Sequence, residues 1–367
     1  MSDHSDVALA DLSRVANDVW MDTLFWIDRA EVGMKFALID ARFGRLVATH
    51  FNLRKWWLGE LGVHRAPRRW QCGGTAAVSA MDDYALSNRL PLATCPAPNG
   101  VIGFRAIYIW YVDLEVIAFL QCLQRVINRG IAVQFTIHST DVRCWALMAQ
   151  RIWPLIGHAI TALNDMKAVN FALLCRHVSP NVLFDCANLR AITNTHMFPI
   201  RPPHNAVHIN ELLQPPLDEF NEKPKHNLFR WLHTPRKDGR AKVVTIRKWR
   251  RQQWASFVPS LITFFNASNT VPVNYLVICH TVGPNNFQKM EHENEETDER
   301  LTLNARVPAD AVIVRRRNGT DQRTVNAWEK EANQMLDNLL CININDDNIG
   351  PALLAELMAN EFGEGWK

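Results

Sequence analysis

The sequence has no pair of cysteines two residues apart, no apolar run long enough to cross a bilayer, no glycine-rich phosphate loop and little excess charge. Each absence excludes something. The eight cysteines (Cys72, Cys95, Cys122, Cys144, Cys175, Cys186, Cys279 and Cys341) are scattered. A structural zinc ion needs ligands clustered closely enough to close a tetrahedron, so no zinc module is expected. Most of the cysteines stand inside apolar runs and read as reduced core residues. A membrane-spanning helix needs about 20 apolar residues, and even IYIWYVDLEVIAFL is broken by Asp113 and Glu115. The opening MSDHSDVALADLSR is acidic and lacks the basic-then-apolar order of a secretion signal. A cytoplasmic or nuclear protein without membrane contact is expected. The net charge of +3 is too near neutral to call for nucleic acid or an anionic surface.

Reaction motifs are also missing. GxSxG, GxGxxG and HExxH do not occur. Gly73-Gly74 lacks the lysine of a phosphate-cradling loop. His204 and His208 follow Pro202-Pro203 and have no helical apolar pattern around them. Asp346-Asp347 lacks the spaced oxygen ligands of a calcium loop and reads as a turn. No enzymatic activity, catalytic residue, cofactor or metal is expected.

What is present is apolar and aromatic. The 367 residues are 48% hydrophobic and include 13 tryptophans, enough for two or three domains with sizeable cores. Residues 13–55 read as a helical module. Asn17 or Asp18 can cap a first helix through Val19, Trp20, Leu24 and Ile27. Asp28 and Glu31 have capping-box spacing for a second. Phe43, Leu46, Val47, His50 and Phe51 follow i, i+3, i+4, i+7, i+8, a one-faced helix that Asp40 can cap. Leu24 to Ile27 is apolar without a break, so part of the first helix needs cover from the rest of the chain or from another protein.

From residue 56 onward strands and helices alternate, which implies an α/β domain. Val101–Val112, Ile131–Ser139, Ala168–Cys175, Lys242–Trp249 and Val273–Val282 read as strands. Leu114–Val126, Val142–Ile156, Ser179–Leu189 and Val325–Leu336 read as helices, and Gly130 stops the first of these. LTLNAR and AVIVRRRNG pair as a hairpin, and LLCININ is a closing strand. The spacing of about 25–35 residues per unit suggests a leucine-rich-repeat-like array, although no fixed period repeats. A proline-rich loop over 201–226 divides this domain into a first part, 56–200, and a second, 227–367.

Charge is uneven. Arg236 to Arg251 holds eight basic residues and one acid, with Trp249 and Trp254 interleaved. That is the composition of a single-strand nucleic-acid site, but Val243, Val244 and Ile246 within it imply a strand with one solvated basic face. Glu291 to Glu299 is acidic and reads as an exposed mobile loop.

The pattern Asp18-Val19-Trp20, Leu24-Phe25, Arg29-Ala30, Val32-Gly33, Lys35, Ala37-Leu38, Arg42-Phe43, Leu46-Val47 and His50-Phe51 resembles the F-box of a large protein family in plant-parasitic nematodes. NLRKWWLG, NGVIGF, YVDLEVIAFLQ, SPNVLFDCANLRAI, FRWLHTPRKDG, FFNASNTVPVNYLVI and DDNIG continue the resemblance in the same order along nearly the whole chain. It implies a three-helix F-box-like module that docks on the Skp-type adaptor, and through it a cullin, of a Skp–cullin–F-box ubiquitin ligase. The remainder would present an unknown protein substrate. The docking positions it implies are Val15, Val19, Leu24, Ile27, Val32, Phe36, Ile39 and Phe43. Many F-boxes begin Leu-Pro where this chain has Val15-Ala16. A non-ligase scaffold with a decayed F-box is the alternative, and nucleic-acid binding through Arg236 to Trp254 a more distant one.

Overall fold

Strands formed by stretches such as KVVTIRKW assemble into one large mixed sheet. The computed structural model describes residues 15–27, 32, 36, 39–53, 55–66, 76–80, 90–194, 227–249, 251–267, 271–281, 289–306, 310–335 and 337–363. Cys72, Gly73-Gly74, the Asp28–Glu31 pair, His204, His208 and the 201–226 loop lie outside the described residues. The chain divides into two units, Met1–Trp57 with Ala97–Gly103, and Leu58–Pro96 with Phe104–Lys367. The first therefore takes in residues beyond the expected 13–55. The expected parts 56–200 and 227–367 contribute to one sheet.

In the first unit α1 (Asn17–Trp26) packs against α2 (Ala41–Leu53). The periodicity of α2 places Phe43, Leu46, Val47 and His50 inside. Asp40 caps it as expected, its Oδ1 accepting from the Phe43 N–H at 2.8 Å. The start of α1 differs from expectation. Its N-cap is Ala16, with no side-chain cap. Asn17 instead accepts from Arg42 Nε at 2.9 Å, and the same guanidinium donates to the Val15 carbonyl. The short strands Trp56–Trp57 and Val101–Gly103 pair in parallel beside them, with Trp56 against Phe51.

In the second unit the strands are β1 (Glu60–Arg65), β2 (Ala76–Ala80), β3 (Leu90–Pro91), β4 (Ala106–Ile109), β5 (Ile131–Phe135), β6 (Ile160–Asn164), β7 (Ala191–Asn194), β8 (Lys242–Trp249), β9 (Tyr275–Thr281), β10 (Met290–Asn294), β11 (Glu299–Arg306), β12 (Asp310–Arg317) and β13 (Leu339–Ile342). Their spatial order is β10-β11-β12-β9-β8-β7-β6-β5-β13-β4-β1-β2-β3. The pairs from β9 through to β1 are parallel. Antiparallel strands finish both ends. Strands β5 to β9 follow in chain order, as a repeat array would, but β13 breaks that order by lying between β4 and β5.

Asn338 holds that insertion. It adopts a left-handed φ of 58°. Its Oδ1 accepts from the Phe104 N–H ahead of β4 at 2.8 Å, and its Nδ2 donates to the Gly130 carbonyl ahead of β5 at 3.3 Å. One side chain thus sets the register of both neighbours. Gly130, at φ 112°, ends the preceding helix as expected.

The helix Gln322–Gln334 returns across the sheet to reach β13. Val325, Trp328 and Ala332 pack on Val243, Leu276, Ile278, Val312 and Val314. Where the chain leaves this helix, Met335 packs on Ala132, Ala162 and Ala191, which stand side by side on β5, β6 and β7. Small side chains there let the returning backbone lie close to the strands. Glu331 fixes the crossing through an ion pair with buried Arg190.

Several expectations need correction. Ala168–His177 is a helix, not a strand: Asn170, on its buried side, donates to the Phe135 carbonyl at 2.9 Å. Val101–Val112 is two strands, interrupted at Phe104 and Arg105, whose N–H groups donate to the Asn338 side chain and the Gly59 carbonyl. Val142–Ile156 is helical but passes through a π turn at Met148–Ile152, next to Pro154, whose ring nitrogen has no proton to donate. The acidic stretch is not wholly a loop. Met290–Asn294 forms edge strand β10, where Arg300 on β11 bridges Glu291 and Glu293 at 3.0 and 2.6 Å. Cys144, Cys186, Cys279 and Cys341 are buried free thiols, whereas Cys95 is exposed. No described helix is long and apolar enough to cross a membrane.

Candidate docking surface

Eight residues of the N-terminal unit are implied as partner contacts, and the geometry sorts them into three groups. Leu24, Val32 and Phe43 are at most 2% exposed and form a closed core with Leu46 and Val47. A partner reaches them only if that core opens. Ile27 and Phe36 are half-buried against that core, and Val15 is half-buried beside it in sequence. Val19 and Ile39 are about half exposed.

The core is aromatic as well as aliphatic. Trp20 meets the edge of Phe43 with ring centroids 4.9 Å apart, and Phe36 lies 6.2 Å from Phe43. Such pairs contribute roughly 0.5–1.5 kcal/mol beyond the area they bury. Trp20, Met21, Leu24 and Ile27 form the inner stripe of α1. The opposite side carries Val19, Thr23 and Trp26, spaced i, i+4, i+7 so that they share one line along the helix. Trp26 is 83% exposed and Phe25 55%; their rings meet edge to face at 5.1 Å. Asp18 and Asp22, both exposed, border this line.

The exposure of Phe25 and Trp26 could not be read from the sequence. Four consecutive apolar residues, Leu24 to Ile27, carry no phase of their own. Their phase comes from the stripe that Trp20 and Met21 begin one turn earlier.

Within the basic run around Arg236, Arg236 and Lys242 are committed to the fold, whereas Lys237, Arg240 and Arg247 are exposed. Val243, Val244 and Ile246 are buried in β8. Arg236 is held by Asp238 through two hydrogen bonds of 2.9 and 2.7 Å, which draws the Asp238 carboxyl down to about 2. Lys242 is 4% exposed and donates to the Trp231 and Thr234 carbonyls at the end of the helix 227–232. Burial, and then the charge of Arg236, lowers its pKa to about 7.

Beside Lys242 lies the one extensive ionic network among the described residues. Arg315 pairs with Glu299, Arg315 Nη1 donates to His233 Nδ1 at 2.6 Å, and His233 Nε2 faces the Tyr275 hydroxyl at 3.4 Å. Arg315 and Glu299 have no exposed surface and His233 is 5% exposed. Burial, then the charges of Arg315 and Lys242, holds His233 down to about 3. The group is perturbed in the way active-site residues are, but it is sealed. It offers a substrate no way in and serves to bond β9, β11 and β12 to the helix 227–232. No cluster of three or more His, Cys, Asp or Glu among the described residues is arranged to hold a metal ion. The chain matches no protein-family model, and no curated protein matches it.

Proposed function

We propose that this chain is a substrate-receptor subunit of a Skp–cullin–F-box ubiquitin ligase. Its N-terminal unit docks on the Skp-type adaptor, and its sheet unit, whose ordered run β5 to β9 is the part a leucine-rich-repeat-like reading covers, presents a protein substrate. The observation that carries this reading is the exposed line Val19–Thr23–Trp26 with Phe25, on a helix whose other side closes a complete core. An exposed tryptophan beside other large apolar groups is the composition of an interface hot spot. The order of F-box-like and downstream motifs along the sequence supports the same reading. Ala16 stands where many F-boxes have proline, and its φ of −64° is the angle a proline ring imposes. The approach of the chain to α1 thus keeps its geometry without the ring. A receptor of this kind makes no bonds. It raises the local concentration of a target near a conjugating enzyme carried by other subunits.

The test is recovery of the full chain on an immobilised recombinant Skp adaptor. Trp26→Asp is expected to lower recovery about tenfold or more while leaving thermal melting unchanged. Leu24→Asp is expected to lower both. Equal recovery of wild type and Trp26→Asp overturns the reading.

A further inference from the structure

The exposed line on α1 serves a partner only while α1 keeps one rotation about its own axis. Successive residues of a helix are turned by about 100°, so a roll of one position swings Trp26 away from the side it now faces. The inner stripe of Trp20, Met21, Leu24 and Ile27 holds α1 against its neighbours. Apolar contact is non-directional, however, and fixes a rotation less firmly than a directed bond does. The start of α1 has little of its own to hold it. Ala16 supplies no side-chain cap, and the first bond into the helix, from the Trp20 N–H to the Ala16 carbonyl, is 3.2 Å long.

Arg42, half-buried near the start of α2, ties this end down. Its Nε donates to Asn17 Oδ1 at 2.9 Å, and its Nη2 donates to the Val15 carbonyl. Val15 and Asn17 flank Ala16, so one planar guanidinium spans the residue at which the chain turns into α1. A lysine ammonium, a compact point charge on a flexible stem, does not reproduce a fork of this shape. The next residue, Phe43, meets the Trp20 ring with centroids 4.9 Å apart. Consecutive residues of α2 thus hold the first turn of α1, one by directed hydrogen bonds and the other by a ring contact. Their own place is fixed, because the Phe43 N–H is bonded to Asp40 Oδ1 at the start of α2.

We infer that Arg42 is the positioning residue of the docking surface: through Val15 and Asn17 it fixes the start of α1, and with it the direction in which Val19, Thr23, Phe25 and Trp26 are presented. The φ of −64° at Ala16 is one that proline imposes by itself. A proline there fixes the same approach covalently and makes the clamp dispensable. That the line meets a Skp adaptor rests on the function proposed above; the clamp on α1 rests on the geometry of the N-terminal unit alone.

The test measures hydrogen exchange of the α1 amides in the full chain, and recovery of the full chain on the immobilised Skp adaptor. Arg42→Met keeps most of the side-chain stem and removes the donors. It is expected to speed exchange in α1 about tenfold, to leave the later turns of α2 unchanged, and to lower recovery about fivefold or more. Adding Ala16→Pro to Arg42→Met is expected to bring both readouts back to within about twofold of wild type. Exchange and recovery unmoved by Arg42→Met overturn the inference. Lost recovery with unmoved α1 exchange also overturns it, since Arg42 is then a direct contact. Failure of Ala16→Pro to restore recovery overturns it as well and leaves Arg42 a structural residue only. If Arg42→Met does not fold, Arg42→Lys with and without Ala16→Pro decides the same question. Absence of recovery for the wild type overturns the ligase reading instead, and α1 exchange in the variants then decides the clamp.

Discussion

Arg315 and Glu299 face each other on neighbouring antiparallel strands with no surface exposed to solvent, Nε 3.1 Å from Oε1 and Nη2 2.6 Å from Oε2. The guanidinium also lies 4.9 Å from the Phe265 ring centroid, and Glu299 Oε1 accepts from the Val273 N–H at 2.6 Å. Each partner is saturated by the other and by its surroundings. Removing one strands the other.

Glu299→Ala is therefore expected to destabilise the sheet unit by about 3–5 kcal/mol, since it leaves a buried cation and a buried N–H unpaired. Adding Arg315→Met removes the stranded charge and should recover part of the loss. Urea denaturation of both variants measures it. Equal or additive losses would show that the pair is not coupled.

His233 predicts acid sensitivity. Its folded value of about 3 lies well below its ordinary 6.5, so between these limits the unfolded chain binds a proton that the folded chain does not. The stabilisation is complete above about pH 6.5 and is lost as pH falls toward 3, at up to about 1.4 kcal/mol per pH unit. His233→Gln keeps an acceptor for Arg315 and removes this slope. Denaturation midpoints between pH 7 and 4 should separate the two proteins.

Asn338 bonds both neighbours of β13 and sits in a left-handed conformation. Asn338→Ala should cost about 2–4 kcal/mol through two lost hydrogen bonds and an unfavourable φ. Asn338→Gly relieves the φ but not the bonds and should cost less. Thermal melts rank the three proteins, and a glycine variant as damaged as alanine would mean that backbone strain contributes nothing.

Ala16→Pro should raise the stability of the N-terminal unit by about 0.4–1 kcal/mol, because Ala16 already holds the φ that proline fixes. Asp40→Ala, which removes the cap of α2, should lower it by about 1 kcal/mol. Hydrogen exchange at α1 and α2 amides reads both.

Much of the architecture is legible along the chain, in places where the side-chain period is unambiguous. Strand β8 occupies the whole of Lys242–Trp249, and β11 with β12 form the expected hairpin. Helix Ala168–His177 is hidden because an apolar run as short as this one fits either period. The Glu-rich strand β10 is hidden because its cross-strand partner Arg300 makes its charges tolerable, and a partner seven and nine residues away leaves no local mark. The outer line of α1 is half legible: Val19 is anticipated and Trp26 is not.

The position of β13 bears on how the protein is made. Phe104 and Asn338, bonded in the finished sheet, are 234 residues apart. At about 5–20 residues per second a ribosome needs roughly 10–50 s to supply the second after the first. During that interval the nascent chain exposes the two strand edges that β13 will join, or pairs them with each other wrongly and must later reopen them. Vectorial synthesis thus works against this topology, and a premature stop before Leu339 yields a chain whose sheet is split between β4 and β5.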